Sequence, residues 1–172
     1  MRLAVLTSHN PHQYALLHAL AREHEVVLVV FEDVGAKKPR LFKRRLKKLG
    51  PLHVADQMLF KILDVAFFKP RSRKQMDGIL GEDAQWQPHT LPDAEMVEVD
   101  SLNTDKMRQK ISNVDPDAVV VSGTGILGKK LISLIRPKPI INIHCGITPR
   151  YRGTHGAFWA VVNKDWENIG TT

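Results

Sequence analysis

The chain is short of cysteine, of long apolar runs, of early glycine and of paired metal ligands, and each shortage removes a class of protein. A single cysteine, Cys145, in 172 residues excludes an internal disulfide and fits a reducing compartment. No apolar stretch reaches the roughly 18 residues that span a bilayer, and no membrane partner is expected. The opening run Leu3-Ala4-Val5-Leu6 stops at Thr7-Ser8-His9-Asn10, too short for the core of a signal peptide and without a small-residue cleavage site. These absences point to a soluble, cytoplasmic protein. No glycine precedes Gly35, so the loop after the first apolar run is poorly suited to cradle a phosphate on backbone amides. The eight histidines have no cysteine or carboxylate at ligand spacing, so no metal is expected.

What is present is enough for one core. The chain is 43% hydrophobic, and a length of this order supports a single domain. Its formal net charge is +7, but the excess is local. Residues 1–80 carry 15 Lys/Arg against 7 Asp/Glu, whereas residues 81–172 carry 10 against 11. Most of the excess is the run Lys37 to Lys48, with eight cations and no acid. Such a run can hold an anionic partner such as tRNA, a nucleotide-linked sugar or an anionic membrane surface. Only Phe42 interleaves as an aromatic, so base stacking is not indicated, and a solvated helix face explains the run equally well.

Arg2 to Thr7 and Val26 to Phe31 read as buried strands. Between them lies a helix with Asn10 as N-cap, Pro11 at its first position, Gln13 three residues past the cap, and an apolar stripe of Leu16, Leu17, Leu20 and Ala21. Strand, helix and strand at this spacing make a βαβ unit with a parallel sheet. An insertion spans about 37 to 93: the basic run, an apolar helix over about Val54 to Phe68 expected to pack on the domain, and an irregular stretch over 69 to 93. Regularity returns with a strand at Met96 to Val99 and a helix capped near Asn103 or Thr104, with Met107, Ile111 and Val114 on one face. After the turn Asp115-Pro116-Asp117 come a strand Ala118 to Val121, a turn Ser122-Gly123-Thr124-Gly125 and a helix Leu127 to Ile135. Pro137 and Pro139 precede a strand ending near Ile143; His155 to Asn163 reads as a helix, and Ile169 to Thr172 as the start of another strand. The fold class is α/β, a Rossmann-like parallel sheet with helices on both faces.

Chemistry concentrates where the last full strand ends. Residues two apart on a strand point the same way, so Asn142 and His144 stand side by side at a carboxyl strand end, where open α/β sheets bind ligands. An amide donor beside an imidazole can stabilise an oxyanion and move a proton at one centre. Asn142-Ile143-His144 followed by Pro149-Arg150-Tyr151-Arg152-Gly153 resembles the signature of the folate-dependent formyltransferases. That family includes the glycinamide ribonucleotide, methionyl-tRNA and amino-sugar N-formyltransferases. Its motif usually carries Pro-Ser where this chain has Cys145-Gly146.

The resemblance implies that a primary amine attacks the formyl carbon of the co-substrate 10-formyltetrahydrofolate. Asn142 would then donate to the resulting oxyanion, and His144 would assist proton transfer. It further implies a pterin pocket lined by Gly123, Thr124, Gly125, Ile126 and Leu127. Arg150 and Arg152 can clamp an anionic acceptor or the folate glutamate, and Ser8, His9 and Asn10 can meet a polar, small-molecule acceptor. The missing early glycines favour an amino sugar or similar amine over a ribonucleotide amine. The family also uses an Asp from a later strand to orient the His. Asp165 lies too early for that, so residues 1–172 are expected to be the N-terminal domain of a longer protein and to catalyse poorly alone. Two rivals are a hydrolase that releases formate from the same folate and a non-catalytic folate- or anion-binding module.

Overall fold

The computed structural model describes residues 1–33, 46–48, 50–81, 91, 93–153 and 155–172. Its centre is a parallel sheet of five strands, β1 (Arg2–Thr7), β2 (Glu25–Glu32), β3 (Glu95–Val99), β4 (Ala118–Ser122) and β5 (Ile140–Ile143), in the order β3-β2-β1-β4-β5. Because β1 has β2 on one side and β4 on the other, the direction of winding reverses there. In sheets of this type ligands bind outside the carboxyl strand ends at such a reversal. All five carboxyl ends therefore face the same rim of the molecule.

The interior strands are aliphatic and buried because helices cover both faces. On one face Leu6, Leu28, Val30, Val119 and Val121 meet Met107 and Ile111 of α4 (Asp105–Val114) and Leu131 and Ile135 of α5 (Lys129–Ile135). On the other, Leu3, Val5, Val29, Phe31 and Val120 meet Leu17 of α1 (Pro11–Glu23), with Leu20 and Ala21 beside it. Of the expected stripes, Leu17, Leu20 and Ala21 of α1 and Met107, Ile111 and Val114 of α4 are packed on the sheet. Thr104 caps α4, its hydroxyl accepting from the Met107 N–H at 3.2 Å. At the opposite rim the turn after α4 is tied to β1: the Arg2 N–H donates to Asp117 Oδ2 at 2.7 Å.

Local expectations fail where a side chain finds a distant partner. Asn10 occupies the N-cap position of α1 but makes no capping bond; its amide donates to Ser8 Oγ at 3.2 Å. Gln13 does not reach back to the cap either, because its Oε1 accepts from the buried Thr7 hydroxyl at 3.1 Å. The helix expected from Leu127 begins at Lys129, since Gly128 N–H is held by the Asn103 side chain. Ile169 to Thr172 joins no sheet strand. It runs antiparallel beside the residues after β5, with His144 and Thr172 exchanging backbone bonds of 2.7 and 2.9 Å.

The insertion departs most. Of the basic run, only Leu46, Lys47 and Lys48 fall among the described residues, and they are helical. After Gly50 come α2 (Pro51–Leu63), a π turn (Asp64–Phe68) and α3 (Lys69–Leu80) in unbroken succession. Residues 69 to 80, expected to be irregular, are helical. Pro70 lacks the N–H that the preceding turn would receive, and the wider π turn directly before it takes up that mismatch. The apolar helix was expected to pack on the domain; instead Val54 is its buried residue, and no residue of α3 is buried.

Candidate active site

β5 delivers the Asn/His pair to the rim. Asn142 pairs in register with Val121 of β4 and its residue is exposed, while His144 continues the extended stretch and is half-buried. Backbone bonds to Thr172 hold His144 from the outer side. Its Nδ1 is the one buried side-chain polar atom without a hydrogen-bond partner among the described residues.

The loop after His144 folds tightly back on itself. Gly146, at φ 124°, and Gly156 lie so close that a Cβ on either would stand 2.5 or 2.3 Å from the Tyr151 carbonyl oxygen. Only glycine fits at these two positions. Tyr151 is buried, and its hydroxyl donates to Asp165 Oδ2 at 2.9 Å while accepting from the Asn163 amide at 3.3 Å. Asp165 also accepts from the Asn168 amide at 2.8 Å and pairs with Arg150 at 3.0 Å. The Asn168 amide, then the Tyr151 hydroxyl and Arg150, hold the Asp165 carboxyl below its ordinary range against an opposing effect of burial. Asp165 is therefore the clamp of the Tyr151 loop. Arg150 is engaged there, and Arg152 stands exposed on the same loop.

The turn after β4 is held by residues that motif reading passed over. Gly125 N–H donates to Glu32 Oε2 at 2.6 Å, and the Leu102 N–H donates to Glu32 Oε1 at 3.4 Å. Glu32 is only 2% exposed. The Asn103 side chain grips the far end of the turn, donating to the Ile126 carbonyl at 2.9 Å and accepting from Gly128 N–H at 2.6 Å. Gly123, at φ 72°, seats against Ser8 and Gln13, where a Cβ would come within 2.8 Å of the Gln13 amide. Thr124 turns its hydroxyl onto the Gly125 carbonyl at 3.1 Å, Ile126 is 92% exposed, and Leu127 packs on the core. A carboxylate ending an otherwise aliphatic strand was the available signal for Glu32; Asn103 was marked locally only as a candidate cap of α4.

Around β1, Ser8 is buried beside Gly123, whereas His9 and Asn10 are exposed. His9 stacks on Phe31 with ring centroids 4.1 Å apart, and its two nitrogens meet the Tyr14 hydroxyl at 2.7 Å and Glu98 at 3.2 Å. Burial and then the Glu98 charge push the Tyr14 hydroxyl pKa up. The structure thus gathers the β1, β4 and β5 ends on one rim. Shallow depressions on α4, lined by Lys106, Gln109 and Asn113 among others, share no residue with it. No group of three or more metal-ligating side chains occurs among the described residues.

Comparison with known proteins follows this geometry. A family model described as formyl transferase matches residues 1–172. Methionyl-tRNA formyltransferase of Trichlorobacter lovleyi is 32% identical over 71 residues, covering 41% of this chain and 22% of that protein. Its counterpart from Campylobacter jejuni is 35% identical over 66 residues, covering 38% of this chain and 21% of that one. The matched stretches thus span about a fifth of those curated relatives. Among solved structures, the phosphoribosylglycinamide formyltransferase of Coxiella burnetii superposes with a TM-score of 0.52 at 15% identity, over 95% of this chain and 60% of that one. Glycinamide ribonucleotide transformylase 1 of Symbiobacterium toebii gives 0.52 at 12%, over the same shares. At these identities the likeness establishes the fold.

Proposed function

The chain belongs to the formyl transferase family, and on that premise we propose that the whole protein transfers a formyl group from 10-formyltetrahydrofolate to a primary amine. The observation that carries this reading is His144, half-buried at the carboxyl end of β5, with a buried and unpartnered Nδ1 and Asn142 two residues before it. When bound, 10-formyltetrahydrofolate supplies the formyl group and departs as tetrahydrofolate. Asn142 donates from its amide to the negative charge that develops on the formyl oxygen as the amine attacks. His144 takes the proton that the amine must lose and returns it to the folate nitrogen as its bond to the formyl carbon breaks, a task suited to an imidazole near neutral pH. The turn Gly123–Leu127, held by Glu32 and Asn103, offers a fixed backbone edge and the exposed Ile126 side chain to a flat heterocycle.

The acceptor we favour is an amino sugar. The β1–α1 loop lacks glycine, and the first helical residue is Pro11, which has no N–H to give a phosphate. Arg152, and Arg150 if released from Asp165, can bind the acceptor's anionic groups. In full-length protein, His144→Ala should lower kcat for formyl transfer by about 10²–10⁴-fold with little change in folate affinity. An unchanged kcat refutes the role of His144. Formate release without any amine would favour the hydrolase. A panel of amino-sugar, glycinamide ribonucleotide and methionyl-tRNA acceptors identifies the amine.

A further inference from the structure

The rod made by α2, the π turn and α3 runs from Pro51 to Leu80 and is exposed along nearly its whole length. Its apolar residues are large and face solvent: Phe60 is 66% exposed, Ile62 63%, Phe67 69% and Phe68 58%. Successive turns place Leu52, Met58, Leu59, Ile62, Leu63 and Val65 on one broad face, with His53, Gln57, Lys61 and Asp64 gathered opposite. An apolar surface this long is not left to water by chance.

Charge identifies what covers it. Lys47 and Lys48 precede the apolar segment, and Lys69, Arg71, Arg73 and Lys74 follow it, all exposed. Six further cations lie in the sequence from Lys37 to Arg45. Packing against a second copy would bring basic ends against basic ends in either orientation. An anionic lipid surface offers the apolar face hydrocarbon and the cations phosphate. No helix among the described residues is long and apolar enough to cross a membrane, so the rod lies on the surface.

We propose that the segment Pro51–Leu80 is an interfacial membrane anchor. Met58, Leu59, Ile62, Leu63 and Val65 enter the acyl boundary, and the cations after Phe68 sit among anionic headgroups.

Flotation of the full chain with lipid vesicles tests this. Phosphatidylcholine vesicles containing about one third phosphatidylserine should bind about tenfold more tightly than phosphatidylcholine alone, and salt near 0.5 M should weaken that binding. The triple variant Leu59→Asp, Ile62→Asp, Leu63→Asp should lose binding by about tenfold or more while keeping its thermal midpoint, because these side chains are already exposed to water. Replacing Lys69, Arg71, Arg73 and Lys74 by Gln should remove the preference for phosphatidylserine. Absence of vesicle binding overturns the proposal, as does a triple variant that binds like the parent. A dimer seen by sedimentation without vesicle binding, and abolished by the same aspartates, overturns it in favour of a second copy.

Discussion

The central sheet and the helical rod are both rich in large apolar side chains, yet they use them in opposite ways. Leu28 in β2 is 0% exposed and touches both neighbouring strands and the helices above, whereas Phe60 in α2 is 66% exposed. The two residues have similar transfer energies; what differs is whether the chain supplies a partner. Burial in the sheet is what folding gains, while the apolar side chains of the rod stand exposed among the described residues. A periodic apolar pattern therefore reports that a face wants to leave water, not where it goes.

Substitutions in the two regions sharpen the contrast. Leu28→Ala should cost about 2–5 kcal/mol, since it leaves a cavity between packed layers. Phe60→Ala should change stability by less than about 0.5 kcal/mol, as an exposed site does. Urea unfolding of both variants in detergent-free buffer measures this, and equal losses would mean the rod packs on the domain.

A subtler break lies at Glu32. Glu32→Ala should cost about 1–3 kcal/mol, because the Gly125 and Leu102 N–H groups lose their acceptor inside the fold. Amide exchange should then quicken across residues 123–128 before it does elsewhere.

The smallest effect concerns Asp165. Its carboxyl is held below the ordinary value of 3.8 in the folded state. It therefore adds stability that is present above that value and lost as pH falls through the lower folded value. Asp165→Asn should flatten the acid limb of the stability profile below about pH 4 and leave its shape near neutrality unchanged. A parent and variant with parallel acid limbs would show that the Tyr151 loop does not depend on this charge.

How much could be read in advance follows from the range of the interaction. The aliphatic strands, the Met107 and Ile111 stripe of α4 and a cap at Asn103 or Thr104 were legible, because each rests on neighbours within a few residues. Asn142 and His144 could be singled out together because alternation along a strand is local. The helix over 69 to 80 was not, since Pro70, Gly78 and many charges argue against it; the π turn that accommodates Pro70 leaves no plain mark in composition. The packing of the apolar helix was misjudged because amphipathicity carries no address.

The sequence by itself determined the βαβ pattern, the parallel sheet, the one-sided gathering of loops at carboxyl strand ends, and the Asn-Ile-His and Tyr-Arg-Gly signals that mark the family. Tertiary structure alone decided that Glu32 and Asn103 hold the turn after β4, with Glu32 reaching Gly125 across 93 residues of chain. It also decided that Asp165 clamps Tyr151, that Gly146 and Gly156 meet at the Tyr151 carbonyl, and that the rod remains uncovered. Local propensity and periodicity act over a turn of helix or a pair of strand residues. Partners brought together by closure of the sheet depend on where every other element has packed.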